Sequence, residues 1–193
     1  MKEILVISAH PDDLEMSCGG SVAKWVSSGD RVTNLIMFSD VKHLRFLRMA
    51  SRHLGHKTVL FPGTRDTIVD HKTISKIEEI LDISSFDRII THWKEDWHQD
   101  HKACHDIGNI LARKQLAELW YMSSHPYHLK YSEFSADMYV NTEEFSFLKA
   151  RSMSEYPNIA KQWRRGVGHH DQWRGSMIDK KTAEVFQIGN MVS

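Results

Sequence analysis

The sequence lacks an excess of charge of either sign. Lys plus Arg equals Asp plus Glu at 25 each, so the formal net charge is zero, and no long basic tract is present. A protein that binds a phosphate backbone needs such a tract, because its cations displace the counterions that surround the nucleic acid. We therefore expect no nucleic acid among the partners of this chain.

Long hydrophobic runs are also missing, and cysteine is scarce. The first apolar run, after Glu3, is only as long as a strand, which is too short for a signal-peptide core or a membrane span. The two cysteines, Cys18 and Cys104, do not form a CxxC pair. We expect a cytoplasmic protein without a membrane partner, in which both cysteines are buried as small apolar residues rather than joined in a disulfide.

Hydrophobic residues, aromatics included, make up 41% of the chain. Along the sequence they occur alternately in strand-like runs and at helical spacing. This alternation predicts one domain, residues 1–193, with a mostly parallel sheet covered by helices on both faces. Strands are predicted at residues 4–9, 32–38, 58–61, 87–91, 119–122, 135–142 (an edge strand) and 183–191. Helices are predicted at residues 18–28, 41–54, 73–81, 101–119 and 143–156, and residues 164–174 as an irregular polar insert.

Two polar motifs follow predicted strands. His10-Pro11-Asp12-Asp13 comes directly after the first strand, and His98-Gln99-Asp100-His101 follows the strand at residues 87–91. In open parallel sheets, ligands bind outside the carboxyl ends of the strands. We therefore expect the two motifs to face one cleft.

The residue types in these motifs are typical of a catalytic metal site. A catalytic zinc ion takes about three nitrogen or oxygen ligands and keeps one position open for water, and His10, Asp13 and His101 satisfy that count. Adjacent aspartates in a turn point in different directions. Asp12 is therefore predicted to be the general base that takes a proton from the attacking water, which the metal makes more acidic.

Two further residues complete the predicted chemistry, which is the attack of activated water on a carbonyl group. His98 is placed to stabilise the developing oxyanion or to protonate the leaving nitrogen. Asp100 is predicted to orient that histidine, since a carboxylate behind an imidazole fixes its tautomer.

Simpler interpretations of the same residues remain open. The aspartates after His10 could be helix caps in an ordinary turn. The i, i+4 pair His101 and His105 could form a competing ligand pair, although a surface or supporting role is favoured for His105. His92 is predicted to be a packing histidine, and His169-His170 to be solvated or at the rim of the site.

The stretch Ala9-His10-Pro11-Asp12-Asp13-Leu14-Glu15-Met16-Ser17-Cys18-Gly19-Gly20 resembles the signature of the PIG-L/LmbE-like zinc-dependent deacetylases. His98-Gln99-Asp100-His101 is similar to their second motif, and Ala183-Glu184-Val185-Phe186 resembles a short pattern near their C-terminus. The resemblance covers roughly the first 120 residues in order and spacing.

This resemblance implies a Rossmann-like three-layer α/β sandwich and the removal of an N-acetyl group from an amino sugar or its conjugate. By motif position it implies that the metal ligands are His10, Asp13 and His101, that the general base is Asp12, and that His98 is the oxyanion-stabilising or acidic histidine. The residues themselves suggest the same roles. The implied metal is Zn²⁺, although Fe²⁺ or another divalent ion also suits two histidines and one aspartate.

The sequence departs from the family pattern in the region that would hold the substrate. Many members begin the helix after the second strand with Arg-x-x-Glu, where this chain has His43 and Phe46. Arg45 and Arg48 are predicted to take over the substrate contact. Residues 125–174 match no clear pattern, and their aromatic and basic side chains could either line the site or pack beneath it.

Three functions are therefore compatible with the sequence. The first is hydrolysis of an N-acetylated amino sugar, such as an N-acetylglucosamine-like compound or nucleotide sugar, with release of acetate. The second is hydrolysis of a larger amide, such as a thiol conjugate or an acylated antibiotic, and the third is sugar binding without turnover. The sequence leaves the assembly state open, a homo-oligomer included.

Overall fold

The computed structural model describes residues 1–39, 44–62, 69–123 and 134–190. The strands are β1 (Glu3–Ser8), β2 (Arg31–Ile36), β3 (Lys57–Leu60), β4 (Arg88–His92), β5 (Glu118–Met122), β6 (Met138–Asn141) and β7 (Ala183–Asn190). The helices are α1 (Asp13–Ser27), α2 (Leu44–Leu54), α3 (His71–Ile80), α4 (Gln99–Gln115), α5 (Ser146–Ser154) and α6 (Lys161–Ser176). None of these helices has the length and apolar character needed to cross a membrane.

All seven described strands form one sheet in the order β3-β2-β1-β4-β5-β7-β6. The first five are parallel to one another, and β7 runs antiparallel to both β5 and β6. The predicted α/β fold with a mostly parallel sheet is confirmed, and β6 is the edge strand that the sequence predicts.

The inner strand β1 has buried side chains on both faces of the sheet. Its side chains alternate, so Leu5 and Ile7 join one buried apolar cluster while Ile4 and Val6 join the cluster on the opposite face. Side chains of α3 and α4 cover the first face, and those of α1 cover the second. Because both faces are buried, β1 is almost entirely apolar rather than alternating in polarity. Both cysteines are free and buried, one in each cluster, as expected.

Helix α1 begins five residues earlier than predicted, at Asp13, and is interrupted at Cys18, where φ is −143°. The sequence analysis placed its start at the glycines that follow this interruption. The interruption releases backbone N–H groups, and the side chain of Glu184 in β7 accepts two of them, from Gly20 at 2.9 Å and Ser21 at 2.6 Å. The pattern around Glu184 near the C-terminus therefore has a structural role, which is to bond the second half of α1.

A buried lysine neutralises Glu184. Lys149 Nζ lies 2.8 Å from Glu184 Oε1 and 2.7 Å from Asp171 Oδ2, and all three residues are buried. Gly20 allows this arrangement, because a Cβ atom there would lie 2.9 Å from the Cβ of Thr142. The cluster joins α1, α5, α6 and β7.

The prediction of an irregular insert at residues 164–174 is wrong, because these residues lie within α6. The segment is polar and contains Gly166 and Gly168, which disfavour a helix in isolation, but Val167, Asp171 and Arg174 are buried against the rest of the fold. Tertiary packing therefore outweighs local propensity. The helix predicted at 101–119 ends earlier, at Gln115, since Leu116 takes a left-handed conformation with φ 54°.

Candidate active site

The two polar motifs meet at the carboxyl ends of β1 and β4, which are neighbours in the sheet. From β1 the chain passes to β2 on one side, and from β4 it passes to β5 on the other, so the strand order reverses between them. Crevices of this kind are the usual ligand sites of open α/β sheets. The backbone N–H of Ala9 donates to His92 Nε2 at 3.2 Å and ties the two strand ends together.

Asp13 lies at the centre of the site. Its Oδ1 is 3.4 Å from His101 Nε2, and its Oδ2 is 3.6 Å from His10 Nδ1 and 3.3 Å from His92 Nε2. The same Oδ2 accepts the backbone N–H of His10 at 2.6 Å. Burial alone would raise the pKa of Asp13, but the surrounding histidines, His101 first, hold it well below its usual value.

His10, Asp13 and His101 offer ligand atoms that all lie within 4.8 Å of one another. The set brings together one residue pair from the first motif and one residue from the second, about ninety positions later. Two other groups in the described ranges meet the same distance: His10, His98 and Asp100; and His92, Asp96 and His101. The first group shares His10 with one of them and His101 with the other, so the three form one continuous cluster.

Two carboxylates lie beside His10 and His101, on the side of each ring away from Asp13. Asp96 Oδ2 is 2.7 Å from His101 Nδ1, and Asp100 Oδ2 is 2.9 Å from His10 Nε2. The sequence analysis did not single out Asp96, although it lies two residues before His98 in the same loop. The carboxylate of Asp100 was predicted to orient His98, but it lies 3.8 Å from His98 Nδ1 and is hydrogen-bonded to His10 instead.

The flanking carboxylates determine the charge of both rings. Burial disfavours the protonated form of His101, but Asp13 and Asp96 outweigh it and raise its pKa to about 10. Burial likewise opposes protonation of His10, and Asp13 with Asp100 raises its pKa above the usual value. The neighbouring carboxylates therefore favour the protonated form of both rings.

Asp12 precedes α1 at the N-cap position, but its side chain makes no capping hydrogen bond. The interpretation of this aspartate as a helix cap is therefore wrong. Asn158 Nδ2 donates to Asp12 Oδ2 at 3.3 Å. Burial, followed by the neighbouring Asp13 carboxylate, raises the pKa of Asp12 to about 6, which is the range in which a carboxylate is most effective as a base near neutral pH.

His98 is the N-cap of α4, and its Nδ1 accepts the backbone N–H of Asp100 at 3.2 Å. Because Nδ1 is the acceptor, the neutral ring carries its proton on Nε2. Burial and the nearby His10 and His101 lower the pKa of His98. Its ring stacks on that of His101 with centroids 4.9 Å apart. His98 is thus a neutral hydrogen-bond donor beside His10, Asp13 and His101.

Two other histidines help to hold the cluster. His92 is buried and packs, as predicted, but the ring on which it stacks is that of His101, at 3.9 Å, and burial lowers its pKa to about 4. His105 Nδ1 is 3.0 Å from the carbonyl oxygen of His92. His105 is in none of the three ligand groups, so the competing pair with His101 is not formed.

The C-terminal part of the chain contributes two residues: Tyr156, one of the aromatic side chains expected either to line the site or to pack beneath it, and Asn158, which was not predicted. The Tyr156 hydroxyl donates to the carbonyl oxygen of Pro11 at 2.7 Å and lies 3.2 Å from Glu15 Oε1. Together with Asn158, it supports the loop that carries Asp12. No local pattern marks these residues, since they follow α5 in the region without a clear family match.

The predicted substrate residues lie on α2. Arg45 and Arg48 are both exposed in its first half, and their contact with a substrate stays a prediction. His43, the first position of the family's Arg-x-x-Glu pattern, is outside the described residues. The paired histidines expected at the rim of the site both lie on α6. His169 is exposed and His170 is half-buried.

Residues 5–111 match the model of the PIG-L family, which is described as GlcNAc-PI de-N-acetylase. This match covers more than half of the chain. The chain therefore belongs to the PIG-L family of deacetylases. The match includes every residue of the ligand cluster.

Comparison with individual proteins agrees with this assignment. The chain is 30% identical over 128 residues to the uncharacterized deacetylase YaiS of Escherichia coli K12, which is 58% of this chain and 69% of that protein. It is similar in fold to N,N'-diacetylchitobiose deacetylase from Pyrococcus horikoshii, with a TM-score of 0.78, 16% identity, and coverage of 97% of this chain and 83% of the other. It is also similar to the 4-carboxy-2-hydroxymuconate hydratase GalB of Pseudomonas putida KT2440, with a TM-score of 0.84, 14% identity, and coverage of 100% and 98%.

Proposed function

We propose that this chain is a divalent-metal-dependent hydrolase that removes an N-acetyl group from an amino sugar or its conjugate. The observation that carries the proposal is the convergence of His10, Asp13 and His101 beside a carboxylate that caps no helix. Family membership supports the reaction type, since the family description names a de-N-acetylase. The fold alone does not, because a hydratase shares it.

The donor set fits a catalytic metal ion. Two imidazoles and one carboxylate are the ligands that zinc and ferrous iron take in hydrolytic and related sites. The inner nitrogens of the two rings both face the Asp13 carboxylate. When bound, the ion would polarise the amide carbonyl and make the attacking water more acidic.

Asp12 would act as the general base. It accepts a proton from the water molecule as the water oxygen bonds to the amide carbon. Its pKa of about 6 leaves it ionised at neutral pH yet basic enough to take that proton. Asn158 holds one of its oxygens, so the other is available to the water.

His98 would act on the opposite side of the amide. Its Nε2–H would donate a hydrogen bond to the carbonyl oxygen as negative charge develops there. A neutral imidazole has no second proton to give, so the leaving nitrogen would take the proton that Asp12 accepted from the water. The carbon–nitrogen bond breaks, the free amine leaves, Asp12 is ionised again, and the acetic acid formed ionises to acetate.

The test is the release of acetate from a panel of N-acetylated compounds. The panel contains N-acetylglucosamine, a nucleotide sugar and a glycoside, together with an N-acyl thiol conjugate and an acylated glycopeptide for the larger-amide alternative. The protein is assayed as purified, after chelation, and after restoring Zn²⁺ or Fe²⁺. We expect turnover that chelation abolishes and metal restores. Saturable binding of a sugar with no acetate released from any compound would favour the binding-protein alternative.

A further inference from the structure

We propose that Asp96 and Asp100 are positioning residues, each holding one of the two histidine ligands of the metal site from behind. This inference rests on the proposed function, because it concerns the same ligands. It assigns a role to Asp96 and gives Asp100 a different partner from the one expected from the sequence.

Each ligand ring lies between Asp13 and an outer carboxylate. In His101 the inner nitrogen, Nε2, is 3.4 Å from Asp13, and the outer one, Nδ1, is 2.7 Å from Asp96. In His10 the inner nitrogen is Nδ1, 3.6 Å from Asp13, and the outer one is Nε2, 2.9 Å from Asp100. The two rings thus use opposite nitrogens for the same arrangement.

This arrangement fixes the tautomer of both rings. An imidazole that donates its single N–H to a carboxylate has its lone pair on the other nitrogen. In the neutral rings, the lone pairs of His10 and His101 would therefore point inward, toward Asp13, where a cation would be bound. An outer carboxylate also makes the imidazole more basic, and loss of such a group typically lowers metal affinity by about 10- to 100-fold.

Asp96 is itself held firmly. It is fully buried, its second oxygen accepts the backbone N–H of His98 at 2.9 Å, and its own N–H donates to the carbonyl of Trp93 at 3.3 Å. One side chain thus sets both the ring of His101 and the start of α4. Asp100 lies in the first turn of α4 with its side chain 12% exposed. Because Asp96 is the more completely buried and bonded, its loss is expected to cost more affinity.

The experiment measures the dissociation constant for Zn²⁺ and Co²⁺ by competition with a chromophoric chelator, using the full chain. Asp96→Ala and Asp100→Ala are each expected to raise the dissociation constant about 10- to 100-fold. The visible absorption of the Co²⁺-loaded protein is expected to shift, because a freed imidazole changes the ligand geometry. A purely structural role would leave that absorption unchanged.

Conservative variants and a control keep the result interpretable. Asp96→Asn and Asp100→Asn keep an oxygen that can accept the N–H, and are expected to recover part of the affinity. They also serve if the alanine variant of the buried Asp96 fails to fold. The matched control is Glu155→Gln, since Glu155 Oε1 lies 2.8 Å from His53 Nε2 in a histidine–carboxylate pair outside the site. The control is expected to bind metal as the unmodified chain does.

Each result that contradicts the expectation has a different consequence. Unchanged metal affinity in Asp100→Ala and in folded Asp96→Ala would overturn this inference and leave the proposed function intact. A loss of one of two bound ions in Asp100→Ala would also overturn it, because Asp100 would then be a ligand in its own right together with His10 and His98. An unmodified chain that binds no divalent cation would overturn the proposed function as well.

Discussion

The hydroxyl of Tyr156 donates a hydrogen bond to the carbonyl oxygen of Pro11 at 2.7 Å, across 145 residues of chain. This bond joins the end of α5 to the loop that carries the proposed base. The Tyr156 ring is buried in the apolar cluster with Leu47 and Met153. The tyrosine therefore links the packing of the C-terminal segment to the position of Asp12.

Removing only that hydroxyl should weaken the loop without emptying the core. Tyr156→Phe keeps the ring but leaves the Pro11 carbonyl and Glu15 without their donor. We expect a loss of about 1–3 kcal/mol in the free energy of unfolding, since a buried acceptor is left unpaired, and a lower kcat from the displaced Asp12. Denaturant unfolding and acetate-release kinetics measure the two effects. Tyr121→Phe is the control, because its hydroxyl bonds Asn109 instead, and kcat there should not change.

Replacing the proposed base should separate chemistry from metal binding. Asp12→Ala is expected to lower turnover by about 100-fold or more while the bound metal per chain stays the same. Asp13→Ala, one position along, should lose the metal itself. Turnover is followed by acetate release, and metal content by elemental analysis after dialysis. Full activity in folded Asp12→Ala would show that another group takes the proton.

The buried charges around Lys149 should be sensitive to the loss of one partner. Lys149→Met keeps most of the side-chain volume but leaves Glu184 and Asp171 facing each other without a cation. We expect destabilisation of about 3–5 kcal/mol, as is typical when one member of a buried ion pair is removed. The surface pair of Lys181 and Glu143 is the matched comparison, and Lys181→Met should cost less than about 1 kcal/mol. Equal losses in the two variants would contradict the importance of the buried cluster.

Stability should fall in mild acid because of His170. Burial, followed by the positive charges of Arg174 and Lys149, lowers its pKa from 6.5 to about 4. Above pH 6.5 the ring is neutral in both the folded and unfolded states. As the pH falls toward 4, the unfolded chain binds the proton first, so the folded state loses about 3 kcal/mol relative to it. Unfolding by denaturant at several pH values measures this loss.

The neighbouring residue provides the control for that experiment. His170→Gln should reduce the pH dependence between 6.5 and 4 but not abolish it, since His92 has a similarly lowered pKa, whereas His169→Gln, at the exposed adjacent position, should leave it unchanged. The same slope in both variants and in the unmodified chain would show that His170 does not carry the effect.

The features that could be predicted from the sequence are those that produce a local pattern of residues. The apolar run of β1 and the helical spacing of α4 each reflect burial of a whole element, and the two motifs bring their ligands together because both strands end at one edge of the sheet. α6 was missed because its polar, glycine-containing sequence becomes helical only when Val167 and Arg174 are buried. Asn158 was missed, and the alternatives for Tyr156, lining the site or packing beneath it, could not be decided from sequence, because the partners of both residues lie about 145 residues away.

The bond between Glu184 and the backbone of Gly20 spans 164 residues, which places a constraint on biosynthesis. A ribosome must synthesise the chain through residue 184 before this bond to α1 can form. A product arrested before β7 would carry the complete His-Pro-Asp-Asp motif and all five parallel strands, yet two amide groups of α1 would still await their acceptor. The second half of this helix is therefore completed only after every parallel strand of the sheet has been made.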